Sequence, residues 1–90
     1  MSRLIVVDEN LDSVNIKRNR ALIEEVAETN QPVTLDLSNV NYIDGSGIGA
    51  LVYMKKRLRA SGHDFNIINI SGQPSELISN LGVGDMLRAR

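Results

Sequence analysis

Val33-Thr34-Leu35-Asp36-Leu37-Ser38-Asn39-Val40-Asn41-Tyr42-Ile43-Asp44-Gly45-Ser46-Gly47-Ile48-Gly49-Ala50 is the stretch on which the fold turns. Val33 to Leu37 alternates apolar and polar residues with period two, which predicts a strand over 33–37. Ser38-Asn39 is turn chemistry, and Val40 to Ile43 makes a short extended approach to a glycine-rich loop. Beyond the loop, Ile48, Leu51, Val52, Met54 and Leu58 recur at helical spacing and predict a helix over 47–60. Lys55, Lys56, Arg57 and Arg59 fall in its last turns, where cations complement the helix dipole. Gly62 then stops it.

The same alternation extends in both directions. Leu4-Ile5-Val6-Val7 is a β-branched run that ends at Asp8-Glu9-Asn10 and predicts a strand over 4–7. Asp12 or Ser13 can cap a helix over 14–29, with Ile16, Leu22, Ile23 and Val26 on its buried face and Pro32 beyond its end. After Gly62, Phe65 to Ile70 predicts a strand over 65–70. Pro74 suits the first turn of a helix over 74–81, with Leu77, Ile78 and Leu81 directed inward. Gly82 ends that helix, and Asp85 can cap a last short one from Met86 to Arg90. Strand and helix alternate through short connections, so residues 1–90 read as one α/β domain.

Composition removes several function classes. Ninety residues leave room for a single core, and 42% apolar content is ordinary for a folded chain. Only Tyr42, Tyr53 and Phe65 are aromatic and the net charge is −1, so neither stacking platforms nor a basic field favour nucleic acid. There is no Cys for disulfides, thiolate metal sites or thiol catalysis. Apolar runs are too short to cross a bilayer and no signal peptide opens the chain, so a cytoplasmic protein without direct membrane insertion is expected.

What remains is Asp44-Gly45-Ser46-Gly47-Ile48-Gly49. Three glycines in five positions leave steric room around a serine, and they predict a sharp backbone turn. A helix opens there, so its unpaired N–H groups and positive dipole end favour an anion. In the plainer reading Ser46 caps the helix and Asp44 takes another free N–H. Gly45-Ser46-Gly47-Ile48-Gly49-Ala50 also fits the looser dinucleotide pattern G-x-G-x-x-A. The next strand, however, ends in Asn69-Ile70-Ser71 without the acid that holds a ribose. A hydrolase elbow needs Gly where Asp44 stands. The sole His63 lies at the far end of the same helix, roughly 25 Å off at about 1.5 Å per residue, so nucleophilic catalysis has no base. Asp8, Glu9 and Asp12 are acids without His or Cys and predict no metal site. No cofactor is called for.

These residues resemble the signature of the STAS domain family, in its anti-sigma factor antagonist branch: Val33 to Val40, then Tyr42-Ile43-Asp44-Gly45-Ser46-Gly47-Ile48-Gly49-Ala50-Leu51. Leu11-Asp12 before a helix, Gly62 with Phe65 to Ile70, and Leu77 to Gly82 with Val83 and Met86-Leu87 are similar to further parts of it. The resemblance implies a central mixed β-sheet with helices packed mainly on one face, and it implies that Ser46 is a phosphoacceptor with Asp44 as the acid of the signature. Asp44, Gly45, Gly47, Ile48 and Gly49 are then the phosphorylation loop and partner-binding surface. The implied partners are a serine kinase that is also the anti-sigma factor, which binds the unphosphorylated form, and a metal-dependent serine phosphatase. A non-enzymatic switch follows. The alternatives are an accessory STAS subunit of a lipid-exporting ABC transporter and a small nucleotide-binding protein. Two departures stand out. Gly45 occupies a position that is often Ser or Thr, and Glu9-Asn10-Leu11-Asp12 follows a short N-terminus that leaves a sheet edge open.

Overall fold

The computed structural model describes residues 2–89. In chain order they form β1 (Arg3–Val6), α1 (Ser13–Arg18), α2 (Arg20–Glu28), β2 (Val33–Asp36), α3 (Gly45–Ala60), β3 (Phe65–Ile68), α4 (Gly72–Asn80) and α5 (Gly84–Leu87). The strands lie side by side as β1-β2-β3. Arg3 to Val6 register with Val33 to Asp36, which in turn register with Phe65 to Ile68. Both pairings are parallel, where a mixed sheet is the expectation, because each crossing carries helix that returns the chain in the same direction.

The alternation read from 33–37 settles which face is covered. Val33, Leu35, Phe65 and Ile67 are buried, while Thr34, Asp36, Asn66 and Ile68 on the opposite face stay partly exposed. On the covered side α3 supplies Ile48, Leu51, Met54 and Leu58, all buried, and Val26, Ile78 and Leu87 join from α2, α4 and α5. Leu35 and Leu51 thus both lie in the core, as their spacing predicts.

Element bounds shift where side chains compete with the backbone. The helix expected over 14–29 breaks at Asn19, whose amide donates to the Asn15 carbonyl at 2.9 Å and to the Glu9 carboxylate at 2.6 Å. Strand β3 stops at Ile68 because Asn69 turns left-handed (φ 58°) and donates to the Asp36 carboxylate at 3.0 Å. Bonds from Ser38 first, and then from Asn69, hold that carboxyl below the ordinary aspartate range. α5 starts two residues before Met86, so Asp85 lies inside its first turn rather than capping it. Arg90 lies outside the described residues.

Two inward assignments need correction. Leu22 is 43% exposed and Leu81 is 53% exposed. Leu22 lines an open cavity on the helix side of β1, beside Ile5 and Val7, which leaves it exposed. Leu81 is the residue at which α4 ends, one step before the left-handed Gly82 (φ 68°). Burial therefore sets the expected cost of truncation. Leu58→Ala, at the centre of the core, should lower unfolding free energy by about 2–5 kcal/mol in urea titration. Leu81→Ala should cost no more than roughly 0.5 kcal/mol.

Candidate functional site

Asp44 holds two helices at once. It is the N-cap of α3: its Oδ1 accepts from the Gly47 N–H at 3.0 Å, and its backbone carbonyl accepts from the Ile48 N–H at 3.0 Å. Its Oδ2 accepts from the Ser13 N–H at 3.0 Å, at the first residue of α1. One carboxylate thus satisfies orphan donors at the starts of two helices, where each dipole favours negative charge. Asp12 caps α1 on its own account by accepting from Asn15 N–H at 2.9 Å. Of the two capping candidates there, the structure selects Asp12.

The backbone leading to Asp44 is held from both sides. Leu11 N–H donates to the Tyr42 carbonyl at 3.0 Å and Asp44 N–H to the Leu11 carbonyl at 3.1 Å, which makes a short parallel bridge between Leu11 and Ile43. On the other side the Gln73 amide pairs with Ile43, accepting from its N–H and donating to its carbonyl, both at 2.8 Å. Asn10 Oδ1 accepts from the N–H groups of Asn41 at 2.9 Å and Tyr42 at 3.2 Å. Sequence reasoning missed Gln73 and Asn10 as loop supports. No local pattern marks a side chain that completes backbone pairing across some thirty residues.

The glycines divide by role. A Cβ at Gly47 would stand 2.1 Å from the Leu11 carbonyl oxygen and 2.9 Å from Ile43 Cγ1, so only glycine lets α3 approach the Leu11 bridge. At Gly45 and Gly49 an added Cβ meets nothing within 4 Å. All three lie inside α3, and none has positive φ; those values belong to Gly62, Gly72 and Gly82. The sharp turn expected from the glycines is therefore absent, and close packing at Gly47 takes its place. Gly47 and Ile48 are buried, which removes both from the surface expected to meet a partner. Gly45, Ser46 and Gly49 form its exposed part.

Ser46 is the second residue of α3 and is exposed. Asp44 does the capping, and the Ser46 hydroxyl makes no hydrogen bond to the described residues. It borders a shallow groove between the α1–α2 pair and α3, lined by Ile16, Arg20, Ile23, Glu24, Ala50 and Tyr53. Tyr53 closes the far end of the groove, donating to Glu24 and accepting from Arg57 Nη1 at 2.6 Å, and its hydroxyl is held above the ordinary tyrosine range chiefly by Glu24. His63 lies beyond the other end of α3, with Nε2 3.0 Å from Asn30 Oδ1. The acids of the first loop are engaged structurally: Asp8 accepts from Asn39, Glu9 accepts from Asn19 and faces Arg18, and Asp12 caps. Among the described residues no helix is long and apolar enough to cross a membrane.

Comparison with known proteins agrees with this geometry. The sequence profile of the STAS domain matches residues 3–90. No curated protein matches the chain. Among solved structures, a sulfate transporter family protein from Wolinella succinogenes superposes with a TM-score of 0.77 at 16% identity, over 98% of this chain and 75% of that one. That likeness establishes the α/β fold.

The division of the glycines is testable by unfolding. Gly47→Ala should destabilise by about 1–3 kcal/mol or more, because backbone must move to admit the methyl group. Gly45→Ala and Gly49→Ala should leave stability unchanged or raise it by up to about 1 kcal/mol, the helix preference of Ala over Gly. Urea titrations of the three variants separate the two classes.

Proposed function

This chain belongs to the STAS domain family, and from that premise we propose that it is a cytoplasmic, non-catalytic protein-binding switch set by phosphorylation of Ser46. Its partner in this reading is a serine kinase that doubles as an anti-sigma factor and binds the unphosphorylated form; a metal-dependent serine phosphatase resets it. The observation that carries the reading is Ser46 itself: an exposed hydroxyl on the first turn of a 16-residue helix, released from capping because Asp44 does that work.

The chemistry follows from placement. Phosphate on Ser46 adds about −1.5 to −2 charges. The N-terminal dipole of α3 favours that charge, and the Asp44 carboxylate is already bound by two N–H donors. The domain accordingly tolerates the modification. A partner packed over Gly45, Ser46 and Gly49 does not, since these positions present almost no side chain and the phosphate intrudes by bulk and charge. Kinase and phosphatase reach the hydroxyl from the same open side. No cofactor enters.

The alternative is an accessory STAS subunit of a lipid-exporting ABC transporter; the likeness to a sulfate transporter family protein, at 16% identity, carries the fold and not a role in transport.

Ser46→Ala should abolish phosphorylation by the cognate kinase and keep partner affinity within about threefold, a difference under roughly 1 kcal/mol. Ser46→Asp should weaken the complex by about tenfold or more, that is about 1.4 kcal/mol. Its melting temperature should match or slightly exceed wild type, because a carboxylate in the first helical turn contributes about 0.3–1 kcal/mol. Titration calorimetry and phosphosite mass spectrometry check these outcomes. Equal binding by all three proteins, or phosphate mapped to Ser38 or Ser61, would favour the accessory-subunit reading.

A further inference from the structure

The two edges of the sheet are finished differently. Along the outer edge of β3, Ile67 N–H donates to the Arg88 carbonyl at 3.3 Å, and the Phe65 carbonyl accepts from Lys55 Nζ at 3.3 Å. Ala89 lies beside Ile67 as a parallel bridge. Along β1 the Arg3 N–H reaches the Pro32 carbonyl at 2.8 Å and the Val7 N–H reaches the Asp36 carbonyl at 3.0 Å. Strand alternation therefore turns Arg3, Ile5 and Val7 toward β2 and leaves the N–H and C=O groups of Leu4 and Val6 on the outer edge. None of these four groups has a partner among the described residues. The side chains of the same two residues are 61% and 47% exposed. On the helix side of this edge a cavity of about 280 Å³ opens between Ile5, Val7, Leu22, Ile23 and Val26.

We propose that this edge pairs with the same edge of a second copy, β1 antiparallel to β1 about a two-fold axis at Ile5, to give a six-stranded sheet. The edge is self-complementary in one register. Only even-numbered residues point their backbone groups outward, so a two-fold axis can place Leu4 opposite Leu4, Leu4 opposite Val6, or Val6 opposite Val6. The first sets Ser2 against Val6, and the third sets Asp8 against Leu4. The second matches Leu4 with Val6 twice, makes four backbone hydrogen bonds and gathers four exposed apolar side chains on the open face. It also brings the two Ile5 side chains together at the mouths of the two cavities.

Charge agrees with this register. The strand begins at Arg3 and runs out into Asp8 and Glu9, so antiparallel copies set the basic end of one against the acidic end of the other. A parallel arrangement would align like charges. The occupant that the edge fits is thus its own copy. The contact is small, and a dimer dissociating at micromolar or higher concentration is expected from its size.

Sedimentation of the full chain from micromolar to millimolar concentration should show a reversible monomer–dimer equilibrium. Val6→Lys, at an exposed position, should keep the circular dichroism and melting profile of wild type and weaken dimerisation by tenfold or more. The chain has no native Cys, so an Ile5→Cys variant should oxidise to a disulfide-linked dimer, since the residue on the axis faces itself at the short spacing of a non-hydrogen-bonded pair. Leu4→Cys should cross-link far less. A monomer at every concentration, a dimer unaffected by Val6→Lys, or preferential cross-linking through Leu4→Cys would each overturn the proposal.

Discussion

The Asp44 carboxylate is the contact on which the site depends. Its two oxygens reach N–H groups thirty-one residues apart in one case and three in the other, Ser13 and Gly47. Without it the first turns of α1 and α3 would each lose a partner for a helical donor, and the carboxylate that links those two turns would be gone. The parallel bridge from Leu11 to Ile43 and the Gln73 amide place Asp44 within reach of both. Gly47 lets α3 close onto that bridge. Sheet, loop and two helix starts thus converge on one side chain, and the serine two residues further on is left with no structural duty.

That separation gives the proposed switch its physical basis. A serine that capped its helix would exchange fold stability for modification, because phosphorylation would remove the cap. Here the capping residue, Asp44, and the serine proposed to be modified, Ser46, are different residues two positions apart. In the proposed switch the site would change its charge while the hydrogen bonds that shape it stay made. The open surroundings of Gly45 and Gly49 fit the same division: no packing among the described residues excludes a side chain there, whereas Gly47 is required by the fold.

Much of this was legible in the sequence, for reasons that can be stated residue by residue. Period two at Val33 to Leu37 and helical spacing from Ile48 to Leu58 reflect burial on one face, and burial is what the structure shows at Leu35, Leu51 and Leu58. Local chemistry marked the start of α3, since a helix start announces itself within a few residues, but it offered Ser46 as the cap where Asp44 does the capping. What the sequence hid was non-local. Asn19 breaks a helix by bonding Glu9 ten residues away, and Gln73 completes the backbone pairing of Ile43. The glycines misled in a different way: their clustering suggested a sharp backbone turn, but close approach to the Leu11 carbonyl explains Gly47. A lone sequence does not distinguish a glycine needed for φ from one needed for space.

In the proposed switch, phosphate on Ser46 alters the surface while the Asp44 clamp persists. Amide hydrogen exchange on protein carrying phosphoserine at position 46, compared residue by residue with the unmodified protein, tests it directly. Gly47 and Ser13 N–H groups should stay protected in both forms, with differences confined to residues around Ser46. Loss of protection at Gly47 and Ser13 on phosphorylation would contradict it, because the modification would then act by dismantling the loop.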